Sequence, residues 1–89
     1  MIVRPLEIRN RLGLHARAAA KLVHTASRFR SSVKLRKENE EVDAKSILGI
    51  LLLAASSGTQ IELSVQGDDE REAAAAVEDL IARRFDEDE

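Results

Sequence analysis

The chain has 89 residues, no cysteine and a formal net charge of −2, enough for one domain with a single core and incompatible with a disulfide framework or a thiolate metal site. Its longest apolar stretch, ILGILLLAA at residues 47–55, is far shorter than a bilayer span, and the start MIVRPLEIRN lacks the apolar region of a signal peptide. The reading is a soluble, cytoplasmic protein, residues 1–89 forming one domain.

The net charge conceals an asymmetry. Residues 1–45 hold eleven Lys/Arg against five Asp/Glu, and residues 46–89 hold three against eleven. If folding gathers the basic half on one face, that face attracts anions or acidic partners.

In chain order, Leu6, Glu7, Ile8 and Arg9 alternate as a strand with one wet face does, over residues 2–9, and Pro5 confines that strand to a sheet edge or a strand start. Asn10 to Leu14 has turn character, with Gly13. Ala19, Leu22, Val23, Ala26 and Phe29 then recur at helical spacing and predict a helix over Ala16 to Phe29. SSVKLRK alternates again with Val33 and Leu35 inward, and the polar KENEE behind it predicts a hairpin into a short strand near Glu41 to Ala44.

KSILGILLLAASSG reads as a short buried helix with Ser46 as its N-cap and a glycine stop at Gly58. TQIELSVQG is a strand with Ile61, Leu63 and Val65 on one side, closed by Gly67. From Asp69 onward, Ala73, Ala76, Val77, Leu80 and Ile81 mark an amphipathic helix with acids in its first turn and arginines in its last, matching the helix dipole at both ends. DEDE at 86–89 reads as a frayed charged terminus. The order β, α, β, β, α, β, α predicts an α+β open-faced sandwich: a four-stranded antiparallel sheet covered on one face by three helices.

His15 falls at the start of the first helix. Helix N-termini leave backbone N–H groups unpaired and carry positive partial charge, so they form an anion site. That field disfavours the imidazolium, leaving a neutral ring able to attack phosphorus. Once attached, a phosphoryl group would find the backbone amides of Ala16 and Arg17 and the planar guanidinium of Arg17. No second histidine, no carboxylate and no nucleophilic Ser or Cys pattern lies nearby in sequence, so neither a metal site nor a hydrolytic triad is indicated. On these residues alone an ordinary helix cap remains the commoner explanation for His15, and a generic α+β regulatory or small-molecule module remains open.

GLHARAAAKLV at 13–23, with AKSILGILLLAASSG about thirty residues later, resembles the histidine-containing phosphocarrier (HPr) family of the bacterial phosphotransferase system, including its nitrogen-related branch. The resemblance spans essentially the whole chain and rests on Gly13, Leu14, His15, Arg17 and Ala19. Ala18 stands where the family carries proline; alanine preserves the helix but gives a looser loop-to-helix junction, implying an altered rate rather than a lost function. The resemblance implies that His15 takes phosphate from phosphoenolpyruvate by way of enzyme I, through the ring nitrogen nearer the backbone, and passes it to an enzyme IIA domain. Arg17 would stabilise the transferring group. The chain would thus be a stoichiometric carrier rather than an enzyme, needing no cofactor.

Ser46 is by position an ordinary N-cap. The family resemblance, carried by Lys45, Ser46, Ile47 and Gly49, implies phosphorylation there by a dedicated serine kinase, which a helix N-terminus tolerates electrostatically. Helix two is apolar almost all round, so part of it stays exposed. The resemblance favours Ile47, Leu48 and Leu51 as a docking patch ringed by Arg17, Lys21 and Lys45. A rival of another class is a regulatory interaction protein of the same fold that acts through phospho-Ser46 and carries nothing.

Three other features have ordinary explanations. His24, nine positions after His15 at about 100° per residue, falls on the far side of its helix and reads as solvated. RFRSSVKLRK suggests nucleic acid, but with two phenylalanines and no Tyr or Trp there is no stacking platform, and a wet sheet face accounts for it better. GDDERE lacks calcium-loop spacing and reads as helix N-terminal acids. Serial handover between partners favours a monomer that binds neither nucleic acid nor membrane.

Overall fold

Strict alternation places Val33 and Leu35 on the buried side of one strand and Ile61, Leu63 and Val65 on that of another, with their polar neighbours on the opposite, exposed or half-buried side. The computed structural model of the chain describes residues 1–87. It contains β1 (Ile2–Glu7), α1 (Ala16–Ser27), β2 (Ser32–Lys37), β3 (Glu40–Asp43), α2 (Ile47–Leu53), β4 (Gln60–Gln66) and α3 (Glu70–Ala82). All strand pairs are antiparallel in the order β1-β4-β2-β3, so Pro5 does lie on an edge strand. The three helices cover one face, as the alternation requires.

The register aligns the apolar residues across the sheet. Leu63 pairs with Leu35 on one side and Arg4 on the other, and Val65 pairs with Val33 and Ile2. Against this face pack Leu22 and Ala26 of α1, Ile50 and Leu53 of α2, and Val77, Leu80 and Ile81 of α3. Each buried aliphatic side chain contributes roughly 1.5–3 kcal/mol relative to exposure. The other face is wet and charged: Arg36 pairs with Glu62 at 2.8 Å and Lys34 with Glu41 at 3.8 Å.

Several boundaries differ from the sequence expectation. β1 ends at Glu7 rather than at residue 9, although Ile8 stays beside the chain before β4 through Ile8 N–H to Thr59 O (3.0 Å) and Gly58 N–H to Ile8 O (2.7 Å). α1 ends at Ser27, with Arg28 as C-cap, before it reaches Phe29. β3 starts one residue early, at Glu40. α2 stops at Leu53 because Ala54, not Gly58, takes the left-handed capping conformation (φ +53). In α3 the buried stripe includes Ala74 in place of Ala76. The last turn of α3 holds no basic residue; Arg83 is its C-cap and Arg84 lies beyond.

The terminus differs most. Arg84, Phe85 and Asp86 form one tight turn with φ of +58, +56 and +60. That conformation costs non-glycine residues roughly 1–2 kcal/mol each. Complete burial of Phe85 and a 2.6 Å bond from Lys21 Nζ to the Phe85 carbonyl hold it in place. Asp86 and Glu87 are therefore folded back onto the protein rather than frayed; residues 88 and 89 lie outside the described residues.

Candidate functional site

Gly13 brings the loop before α1 to its position. Its φ is +69, and a Cβ there would lie 2.5 Å from the Ala55 carbonyl oxygen and 2.8 Å from the Ser56 Cα. Only glycine lets the loop press so closely on the segment leaving α2. Leu14 is buried, and its N–H donates to the Ala55 carbonyl (2.9 Å). His15 follows as the N-cap of α1, with extended backbone (φ −77, ψ 179).

The first helical bond runs from Ala19 N–H to His15 O (2.8 Å). The amides of Ala16, Arg17 and Ala18 therefore precede the helical ladder. Arg17 N–H donates to His15 Nδ1 at 3.3 Å; those of Ala16 and Ala18 have no partner among the described residues. The ring is 27% exposed. Arg17 is exposed, and its guanidinium makes no bond to any described residue. A partly exposed imidazole beside the N-terminal amides of a helix and the Arg17 guanidinium is an arrangement that can accommodate an anion.

A carboxylate absent from the sequence neighbourhood of His15 closes the other side of the ring. Glu87 Oε2 lies 2.6 Å from His15 Nε2, across a separation of 72 residues. Glu87 Oε1 accepts from Asn10 Nδ2 (3.0 Å), and the same amide donates to Gly13 O (2.7 Å). Burial pushes the Glu87 carboxyl up, but the bonds from Asn10 and His15 and the positive charge of Lys21 bring it below the ordinary range. An ionised carboxylate only accepts hydrogen bonds, so Nε2 carries the proton; Nδ1, which accepts from Arg17 N–H, keeps its lone pair. The electrostatics of the ring thus combine the helix terminus on one side with a negative charge on the other.

Ser46 caps α2 as its position suggests, its Oγ accepting from Gly49 N–H at 3.1 Å. Gly49 leaves space over it: a Cβ there would stand 3.4 Å from Ser46 Oγ and 3.3 Å from Val42 Cβ. α2 buries Ile50 and Leu53 and exposes Ile47, Leu48, Leu51 and Leu52, with Leu48 68% and Leu52 67% exposed. Leu12, in the loop before His15, is also exposed.

The two lysines expected around this patch both bind main-chain carbonyls, Lys21 that of Phe85 and Lys45 that of Phe29 (2.8 Å). Lys37, which the sequence places at the start of the polar hairpin segment KENEE, ends β2 and donates to the Leu53 and Ala54 carbonyls at 3.0 and 3.4 Å, and so caps the end of α2. His24 is exposed on α1.

Sequence reasoning missed Glu87 and Asn10. The available signal was Phe85, one of only two aromatic residues, placed after the last helix and before an acidic run. A large apolar residue there anchors its neighbours if it is buried.

Comparison with known proteins places this geometry in context. The family model for the PTS HPr component phosphorylation site matches residues 2–83. The chain is 50% identical over 88 residues to the phosphocarrier protein HPr of Xylella fastidiosa strain Temecula1, covering 99% of each chain. It superposes on the crystal structure of HPr-C-His from Thermoanaerobacter tengcongensis with a TM-score of 0.97 at 48% identity, covering 100% of both chains. A second structure from that organism, described as an HPr dimer, gives a TM-score of 0.79 at 51% identity over 92% of this chain and 94% of that one.

Proposed function

Because the chain belongs to the HPr family of phosphotransferase-system phosphocarriers, we propose that His15 is the residue that carries the phosphoryl group, receiving it from enzyme I and yielding it to enzyme IIA domains in the cytoplasm. The observation that carries this reading is the placement of Nδ1: a lone pair on a half-exposed ring at a helix N-cap, beside the amides of Ala16, Arg17 and Ala18. In the uptake step the Nδ1 lone pair forms the N–P bond while the bond from phosphorus to the donor breaks, the donor leaving with that electron pair. Arg17 N–H, no longer bonded to Nδ1, then donates to a phosphoryl oxygen, and the Arg17 guanidinium pairs with the others. Positioning and charge stabilisation between two docked proteins supply the catalysis.

The exposed Ile47, Leu48 and Leu51 serve as the docking face, with Arg17, Lys21 and Lys45 around it meeting acidic partners. Ser46 is the regulatory phosphorylation site, served by an HPr serine kinase, and its cap position lets the helix survive the added charge. Use of one face for successive partners favours a monomer. Incubation with enzyme I and phosphoenolpyruvate should load one phosphoryl group on His15, stable in base and labile in acid. His15→Ala should take up none. A wild-type chain that takes up nothing would contradict the carrier reading and leave the non-carrying regulatory role through phospho-Ser46.

A further inference from the structure

We infer that Glu87 is a positioning residue for His15: its carboxylate keeps the proton on Nε2 throughout the transfer cycle and serves as counterion to the charge the ring acquires when Nδ1 bonds phosphorus. This rests on the reading of His15 as the phosphoryl carrier. Three observations carry it. The carboxylate meets Nε2 at 2.6 Å, on the side of the ring opposite the nitrogen that faces the helix amides. It is held from a second side by Asn10, whose amide also grips the carbonyl of Gly13 in the loop that sets His15. It is delivered by three consecutive left-handed residues pinned by buried Phe85 and by Lys21, a conformation that a solvated tail would not adopt.

The chemistry balances without moving a proton. On uptake, Nδ1 gives its lone pair to phosphorus, the donor departs with the electrons of its former bond, and the ring, still bearing Nε2–H, carries a positive charge that faces Glu87. On discharge, the N–P electrons return to Nδ1 and the neutral Nε2–H ring is restored. Loss of the Nε2 proton from the loaded ring would force discharge to expel an anionic imidazolate, a far poorer leaving group. Glu87 guards against that state, while Arg17 and the helix amides act on the phosphoryl side. Lys21, bound to the Phe85 carbonyl, supports the carboxylate rather than competing for the ring.

The test compares the full chain with Glu87→Gln and Glu87→Ala, measuring the rates of loading from enzyme I and discharge to enzyme IIA, with ring nitrogen NMR of the free and loaded forms. Both variants should still load His15 fully. Discharge from Glu87→Ala should slow between about 10- and 100-fold, and its loaded ring should show loss of the Nε2 proton at a pH where the wild type retains it. Glu87→Gln, which can accept the hydrogen bond without the charge, should fall between the two. Wild-type discharge rates and ring spectra in Glu87→Ala would overturn the role of Glu87 while leaving the carrier reading intact. A wild-type chain that never loads would remove both.

Discussion

The carboxylate of Asp69 accepts from both the amide and the hydroxyl of Ser31, at 2.9 and 2.5 Å, and also from the Arg30 amide at 2.9 Å. The residue that opens α3 thereby ties that helix to the turn between α1 and β2, and so makes no side-chain cap of its own. The Ser31 hydroxyl, the Arg30 amide and the Ser31 amide, acting against desolvation, hold the Asp69 carboxyl down at about 2, below its ordinary 3.8. A folded-state value below the unfolded one gives stability that is fully present above the unfolded value and is lost as pH falls from about 4 through about 2. Urea unfolding across that window should show this slope in the wild type and a flatter one in Asp69→Asn.

Ala54 closes α2 with φ +53 and is exposed. An L-residue pays for that conformation, whereas glycine does not. Ala54→Gly should therefore stabilise the chain by up to about 1 kcal/mol, read as a rise in the thermal midpoint. Lys37→Met removes the ammonium from the Leu53 and Ala54 carbonyls and should cost about 1 kcal/mol in the same measurement.

Gly13→Ala places a methyl group 2.5 Å from the Ala55 carbonyl at a φ of +69. Destabilisation of roughly 2 kcal/mol is expected from the overpacking, together with slower loading of His15 because the loop that sets the ring must shift. Chemical denaturation and loading by enzyme I check the two effects separately.

Leu48 is exposed in the first turn of α2 and supports none of the core. Leu48→Asp should leave stability within about 0.5 kcal/mol yet weaken association with enzyme I, measured as a raised KM for loading. Phosphorylated Ser46, prepared enzymatically, should likewise retain the fold by circular dichroism while loading more slowly.

Much of this architecture was legible from local rules. Alternation at Leu6–Ile8, Val33–Leu35 and Ile61–Val65 reports one-sided burial directly, and Ser46 announces a helix start because its hydroxyl satisfies an orphan amide. The place of His15 and Arg17 at the start of α1 was readable for the same reason, since a helix terminus is set by residues a few positions apart. Where the reading failed, the deciding contact was distant. Glu87 reaches His15 only because Phe85 finds the core and three residues accept a left-handed turn, and an acidic run looks alike whether solvated or folded back. The ends of α1 and α2 fall short of the sequence expectation because Arg28 and Ala54, neither a typical cap, close them through their own backbone N–H bonds.

The most direct test of the account is the site of phosphorylation itself. After incubation with enzyme I and phosphoenolpyruvate, phosphorus and ring-nitrogen NMR should place one phosphoryl group on Nδ1 of His15, with the proton still on Nε2. A phosphoryl group on Nε2, the nitrogen that Glu87 occupies, or no group on His15 at all, would contradict it.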